Sequence, residues 1–142
     1  MRFLGLLKAD KDSEAGTPPT PELMARMGVF MEEVTKAGVL LATDGLHPSS
    51  KGARVRVSEG EVTVTDGPFT ESKELIASYA LFDVKSMAEA TEWTTRFLKV
   101  LGQGECDIYQ VFEQSDFGEE FTPEQREAEE RQRAQMAANT KP

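Results

Sequence analysis

One cysteine in 142 residues rules out an intramolecular disulfide, and a single histidine beside it rules out a Cys/His zinc cluster. Basic charge is scarce as well. Sixteen Lys and Arg face 25 Asp and Glu, for a net charge of −9. Residues 119–142 carry −2 of that, so −7 falls on the rest of the chain. Such a surface repels phosphate backbones, and no basic stripe interrupts it except the short Arg54/Arg56 pair, so no nucleic-acid partner is expected. No apolar run approaches the roughly 18 residues of a membrane helix. The opening Met1-Arg-Phe-Leu-Gly-Leu-Leu-Lys8 falls short of the about 7 apolar residues a signal peptide uses, so it reads as a strand. These absences together predict a cytoplasmic protein. The chain also lacks a nucleotide-binding glycine loop, a His-x-x-Glu metal spacing and a Gly-x-Ser-x-Gly elbow. No metal and no cofactor are expected.

What is present is one domain's worth of amphipathic pattern, 39% hydrophobic and 29% charged. A first strand is predicted over Phe3–Lys8, followed by a loop rich in turn formers, Ala9–Pro19. Thr20 as cap, Pro21 at the first position and Glu22 in the first turn begin a helix. Leu23, Met27, Phe30, Met31 and Val34 carry its apolar face, and Gly38 ends it at about Ala37. Val39–Thr43 reads as a second strand. Arg54–Ser58 and Glu61–Thr65, joined at Glu59-Gly60, read as a half-exposed hairpin with four valines on one face. Leu75–Val84 is a longer strand. Ser86 and Glu89 form a capping box for a helix to about Leu101, with Ala90, Trp93, Phe97 and Val100 inward. Glu105–Glu113 is the last strand.

The order β-α-β, hairpin, β-α-β predicts an α+β fold, a ferredoxin-like split βαβ with an inserted β-hairpin. Leu75–Val84 is apolar on both faces, as is Phe3–Lys8. Two helices cover one face of such a sheet, so a homodimer packing sheet on sheet is expected. The predicted division is a domain over 1–118 and a helical tail over 119–142. Glu124–Ala138 holds strong helix formers but little to bury, so the tail reads as a solvated helix or as an arm lying on the partner subunit, anchored by Phe117 and Phe121.

The most constrained stretch is Thr65-Asp-Gly-Pro-Phe-Thr-Glu-Ser-Lys-Glu74. Pro68 fixes its own backbone and restricts Gly67, which itself tolerates a φ other residues avoid. Asp66 is expected to fold its carboxylate onto the turn's N–H groups, or else to serve as a general base or ligand anchor. This segment resembles the signature of the YCII-related family, also called DGPF-domain proteins. Gly38-Val-Leu, Asp44-Gly-Leu-His-Pro48, Ser86–Trp93 and Asp116–Pro123 agree with it, so the resemblance covers about residues 2–123. It implies a ferredoxin-like dimeric α+β barrel in small bacterial proteins, often encoded beside extracytoplasmic-function sigma factors. Some distant relatives are proposed enzymes using a His/Asp pair. Many members have Gly-Gly where this chain has Ala77-Ser78.

The candidate site follows from these residues. His47 is the sole histidine, the residue type best suited to a general base, and follows the second strand, so His47 with Asp66 is the one dyad the sequence permits. It is set against a plain surface histidine. Tyr79 needs a partner for its hydroxyl inside the barrel, either as a ligand contact or as core packing. Phe69 is an apolar anchor. Lys73 and Glu74 bind a charged ligand or form a solvated cluster, and Arg54 and Arg56 clamp an anion or guard an exposed edge. Two functions are expected: a cofactor-free protein binding or acting on a small molecule by acid–base chemistry near Asp66, or a regulatory protein contacting a sigma-factor-linked partner.

Overall fold

The computed structural model describes residues 1–70 and 72–140, so Glu71 of the ten-residue motif and the last two residues of the tail lie outside it. In chain order the elements are β1 (Arg2–Lys8), α1 (Lys11–Glu14), α2 (Pro21–Lys36), β2 (Leu40–Gly45), β3 (Ala53–Ser58), β4 (Glu61–Asp66), β5 (Ile76–Asp83), α3 (Met87–Leu101), β6 (Cys106–Gln110) and α4 (Pro123–Asn139). They form two compact units, Met1–Val111 and a second unit starting at Phe112.

The first unit is α+β. Its main sheet runs β2-β5-β1-β6, every neighbour antiparallel, and β3 with β4 makes a separate two-stranded sheet. Alternation along the strands divides the main sheet into two faces. Phe3, Leu40, Ala80, Phe82 and Ile108 share a core with Phe30 and Val34 of α2 and Ala90, Trp93 and Phe97 of α3. Phe30 packs edge-on against Trp93, ring centres 6.3 Å apart, and a Glu33–Arg96 ion pair ties the two helices together. The opposite face carries Leu4, Leu6, Tyr79, Leu81 and Tyr109, none of them buried.

Local chemistry explains both the expected and the unexpected boundaries. Thr20 Oγ1 accepts from Leu23 N at 3.2 Å to start α2, and Gly38 follows its end at φ +73°. Ser86 Oγ accepts from Glu89 N at 3.2 Å, but the Glu89 carboxylate reaches back to Lys85 N at 3.0 Å, one residue beyond the expected capping box. The polar stretch after β1 is not all loop. Asp10 accepts from Ser13 N and Ser13 Oγ accepts from Asp10 N, both at 2.8 Å, which is enough for the one-turn α1. The hairpin turns at Glu59 (φ +50°) and Gly60 (φ +83°), the paired positive φ values that match strand twist. Its valines are not half-covered: Val55, Val57, Val62 and Val64 are each 62–67% exposed.

In the second unit, Phe117 lies between Phe112 (5.2 Å) and Phe121 (5.6 Å), and Arg126 donates to the carbonyls of Phe121 and Gly118 at 3.1 Å. Thr122 and Gln125 cap α4 reciprocally, and no α4 residue is buried.

Candidate functional site

The turn after β4 is held from outside its own sequence. Gly67 N donates to Gly52 O at 3.0 Å, and Phe69 N donates to Ser49 Oγ at 3.0 Å. Ser49 in turn donates from its N (2.9 Å) and its Oγ (2.5 Å) to the two carboxylate oxygens of Glu14. The Gly67–Pro68 peptide is cis. Gly67 does not use a positive φ, contrary to expectation; its role is close approach. A Cβ there would sit 1.6 Å from Ser49 O and 2.6 Å from Ser49 C. Asp66 does not cap the turn. Among the described residues its exposed side chain takes no hydrogen bond, because Gly52 O and Ser49 Oγ already serve the N–H groups it was expected to meet.

The expected site residues separate into groups. His47 and Phe69 border one groove of about 330 Å³ together with Glu14 and Ser49. Arg54 lies over the Phe69 ring, 4.3 Å from its centre, so this guanidinium is partly occupied by the ring. His47 is exposed, and among the described residues it makes no hydrogen bond to Asp66. Lys73 borders another groove, where its carbonyl accepts from Lys8 Nζ at 3.2 Å. Glu74 and Arg56 are exposed.

Tyr79 belongs elsewhere. Its Oη donates to Asp44 Oδ2 at 2.8 Å, from β5 to the facing residue on β2. The hydrogen bond to Asp44, then burial and the carboxylate's charge, hold the phenol above its usual 10.0. Thr43 Oγ1 donates to Tyr79 O at 2.8 Å, fixing the same pair of strands.

A cavity of about 220 Å³ is lined by residues of the sheet, α2 and α3; Asp44 and Tyr79 border it from the sheet, although their side chains alternate to the opposite face. Its walls include Met27, Phe30, Phe82 and Phe97, and Asp44 is the one charged residue among the described lining. Thr94 also lines it, 7% exposed, with its Oγ1 buried and without a partner among the described residues. Its neighbours behave differently. Thr91 and Thr95 on the same helix donate to carbonyls four residues back, at 2.8 and 2.7 Å. Gly5 of β1 borders the cavity too, and a Cβ there would come 4.0 Å from Thr94 Oγ1 and 3.6 Å from Phe82. Cys106 completes this side, its thiol pushed up to about 11 by burial first and then by the charge of Asp107.

Sequence reasoning missed Thr94, Gly5, Asp44, Glu14 and Ser49. One signal was readable for Thr94: it stands four residues after Ala90, on the core-facing stripe of α3, where a polar residue is out of pattern. Nothing local marks Glu14 or Ser49, whose roles depend on partners 35 and 20 residues away. Among the described residues no three His, Cys, Asp or Glu side chains gather as a metal site requires.

An antiparallel sheet with two helices on one face and an apolar cavity between them defines the class. The chain belongs to the YCII-related family, whose domain matches residues 1–115. An uncharacterised protein of Rhizobium meliloti is 34% identical over 71 residues, 50% of this chain and 57% of that protein, so the match spans a little over half of the relative's length. A solved structure of 5-chloro-2-hydroxyhydroquinone dehydrochlorinase from Burkholderia phenoliruptrix, in complex with 2,5-dihydroxybenzoquinone, is similar at 12% identity. Its TM-score is 0.44, over 82% of this chain and 98% of that one.

Proposed function

We propose that this protein binds a small molecule in the cavity between its sheet and its helices. The unpartnered Thr94 hydroxyl carries the reading. A buried polar group without a partner costs about 1–3 kcal/mol, and a group kept at that cost has a role to explain it. Mostly apolar walls with few polar groups also fit what small-molecule sites require. Binding is favoured over acid–base catalysis at the Asp66 turn because the described residues give His47 and Asp66 no hydrogen bond to each other.

Cys106 supplies the test. As the chain's sole cysteine it reports on the cavity it lines. Because its thiol is pushed up to about 11, iodoacetamide should react slowly at pH 8 and faster as the pH approaches that value. At pH 9.5, a fragment that raises the melting temperature is expected to slow alkylation several-fold. Fragments that bind yet leave Cys106 alkylation unchanged would place the site elsewhere.

The same reading includes a ferredoxin-like topology, which the β2-β5-β1-β6 order supports, and a homodimer closing into an α+β barrel. The unburied Leu4, Leu6, Leu81 and Tyr109 face is the surface a second copy would cover. Sedimentation equilibrium is expected to give twice the chain mass for the unaltered protein and a folded monomer for Leu81→Asp. A monomer without the substitution rejects the barrel.

A further inference from the structure

We infer that the ligand of this cavity is a neutral, ring-sized apolar molecule bearing a single hydrogen-bonding group, which pairs with Thr94. The inference rests on the cavity being the binding site, and it adds size, charge and polarity. Size comes from the volume. An apolar cavity of about 150 Å³ takes up benzene, and this one, at about 220 Å³, leaves room for a ring with a small substituent. Three phenylalanine rings, Phe30, Phe82 and Phe97, border the space and favour a flat apolar body.

Charge follows from the lining. Asp44 is the one charged residue among the described lining, and its carboxylate lies on the other face of the sheet, where it accepts from Tyr79 Oη at 2.8 Å. The Cys106 thiol stays protonated at neutral pH. The described lining holds no cationic side chain to compensate a buried anion, whose desolvation the apolar walls would not repay. The remaining feature is one unmet hydroxyl, Thr94 Oγ1, able to donate or accept.

Gly5 sets how near a ligand can come. Its position is already buried, and any side chain there would project toward Thr94 and Phe82. A methyl group at 3.6–4.0 Å from its neighbours is ordinary contact, so Gly5→Ala should fold normally while narrowing this part of the cavity. Gly5 and Thr94 are thus the two specificity-determining positions, one by leaving space and one by offering a polar atom.

Phenol and toluene, nearly equal in shape and different in one hydrogen-bonding group, are the probes. Their dissociation constants are measured by calorimetry for the unaltered protein, Thr94→Val and Gly5→Ala. Thr94→Val is expected to weaken phenol about tenfold while moving toluene less than about twofold, the ratio expected for one buried neutral hydrogen bond. Gly5→Ala should weaken both. If toluene and phenol bind but Thr94→Val shifts them equally, the polar-group inference is overturned and the cavity remains the site. If Gly5→Ala changes neither, or neither probe binds the unaltered protein, the cavity reading itself falls and the inference falls with it.

Discussion

Gly67→Ala is expected to destabilise the first unit by about 3 kcal/mol, at or above the upper end of ordinary overpacking. The new methyl carbon would lie 1.6 Å from Ser49 O, 2.6 Å from Ser49 C and 3.3 Å from Ser50 N. All three are backbone atoms, so no side-chain rotation relieves the clash. The turn must move away from Ser49, which breaks the Phe69 N to Ser49 Oγ bond and frees Glu14 from its partner. Urea unfolding followed by circular dichroism checks the size of the loss. Gly28→Ala is the control, since that glycine lies in α2 with nothing within 4 Å of the added carbon. There the change should stabilise by up to about 1 kcal/mol through helix propensity. A loss at Gly67 no larger than ordinary surface scatter would show that close approach to Ser49 is not what this position enforces.

The second large effect is expected at Phe30→Ala, about 3–5 kcal/mol of lost stability. Phe30 is 8% exposed and packs against both Trp93 and Phe97, at 6.3 and 6.2 Å between ring centres. Its loss removes aromatic contacts that hold α2 to α3 and leaves a space next to the existing cavity. Two readouts therefore move in opposite directions. Stability falls in urea titration, while a two-ring probe such as naphthalene, excluded from the unaltered protein, gains measurable binding. If stability falls and naphthalene still fails to bind, Phe30 supports the core without bounding the ligand space.

The elements that were legible in the sequence are those set by short-range chemistry. Thr20-Pro21-Glu22 announces α2 because its cap and first turn are satisfied within four residues. Strict valine alternation and Glu59-Gly60 announce the hairpin for the same reason. What the hairpin pattern could not show is that its valine face stays exposed, since a period of two reports which residues share a face and not what covers them. The candidate site was legible in a weaker sense. Tyr79 was read as needing a hydroxyl partner, and it has one in Asp44, but the identity of that partner depends on the pairing of β2 with β5. Phe69 and His47 border one groove, whereas among the described residues the Asp66 side chain makes no hydrogen bond. The residues that matter most to the cavity, Thr94 and Gly5, are single letters in a helix and a strand. They become informative only when the two elements are superposed in space.

Ser49 joins three stretches of chain: the one-turn helix at Glu14, its own loop, and the turn at Phe69. The ten-residue signature is therefore not self-contained. Transplanted into another scaffold without a Ser49 and a Glu14 to receive it, the segment would carry every letter of the motif and lose its shape. The shape of this turn depends on three stretches far apart in the chain, and an insertion between β1 and α2 that displaces Glu14 is, in effect, a mutation of the signature itself.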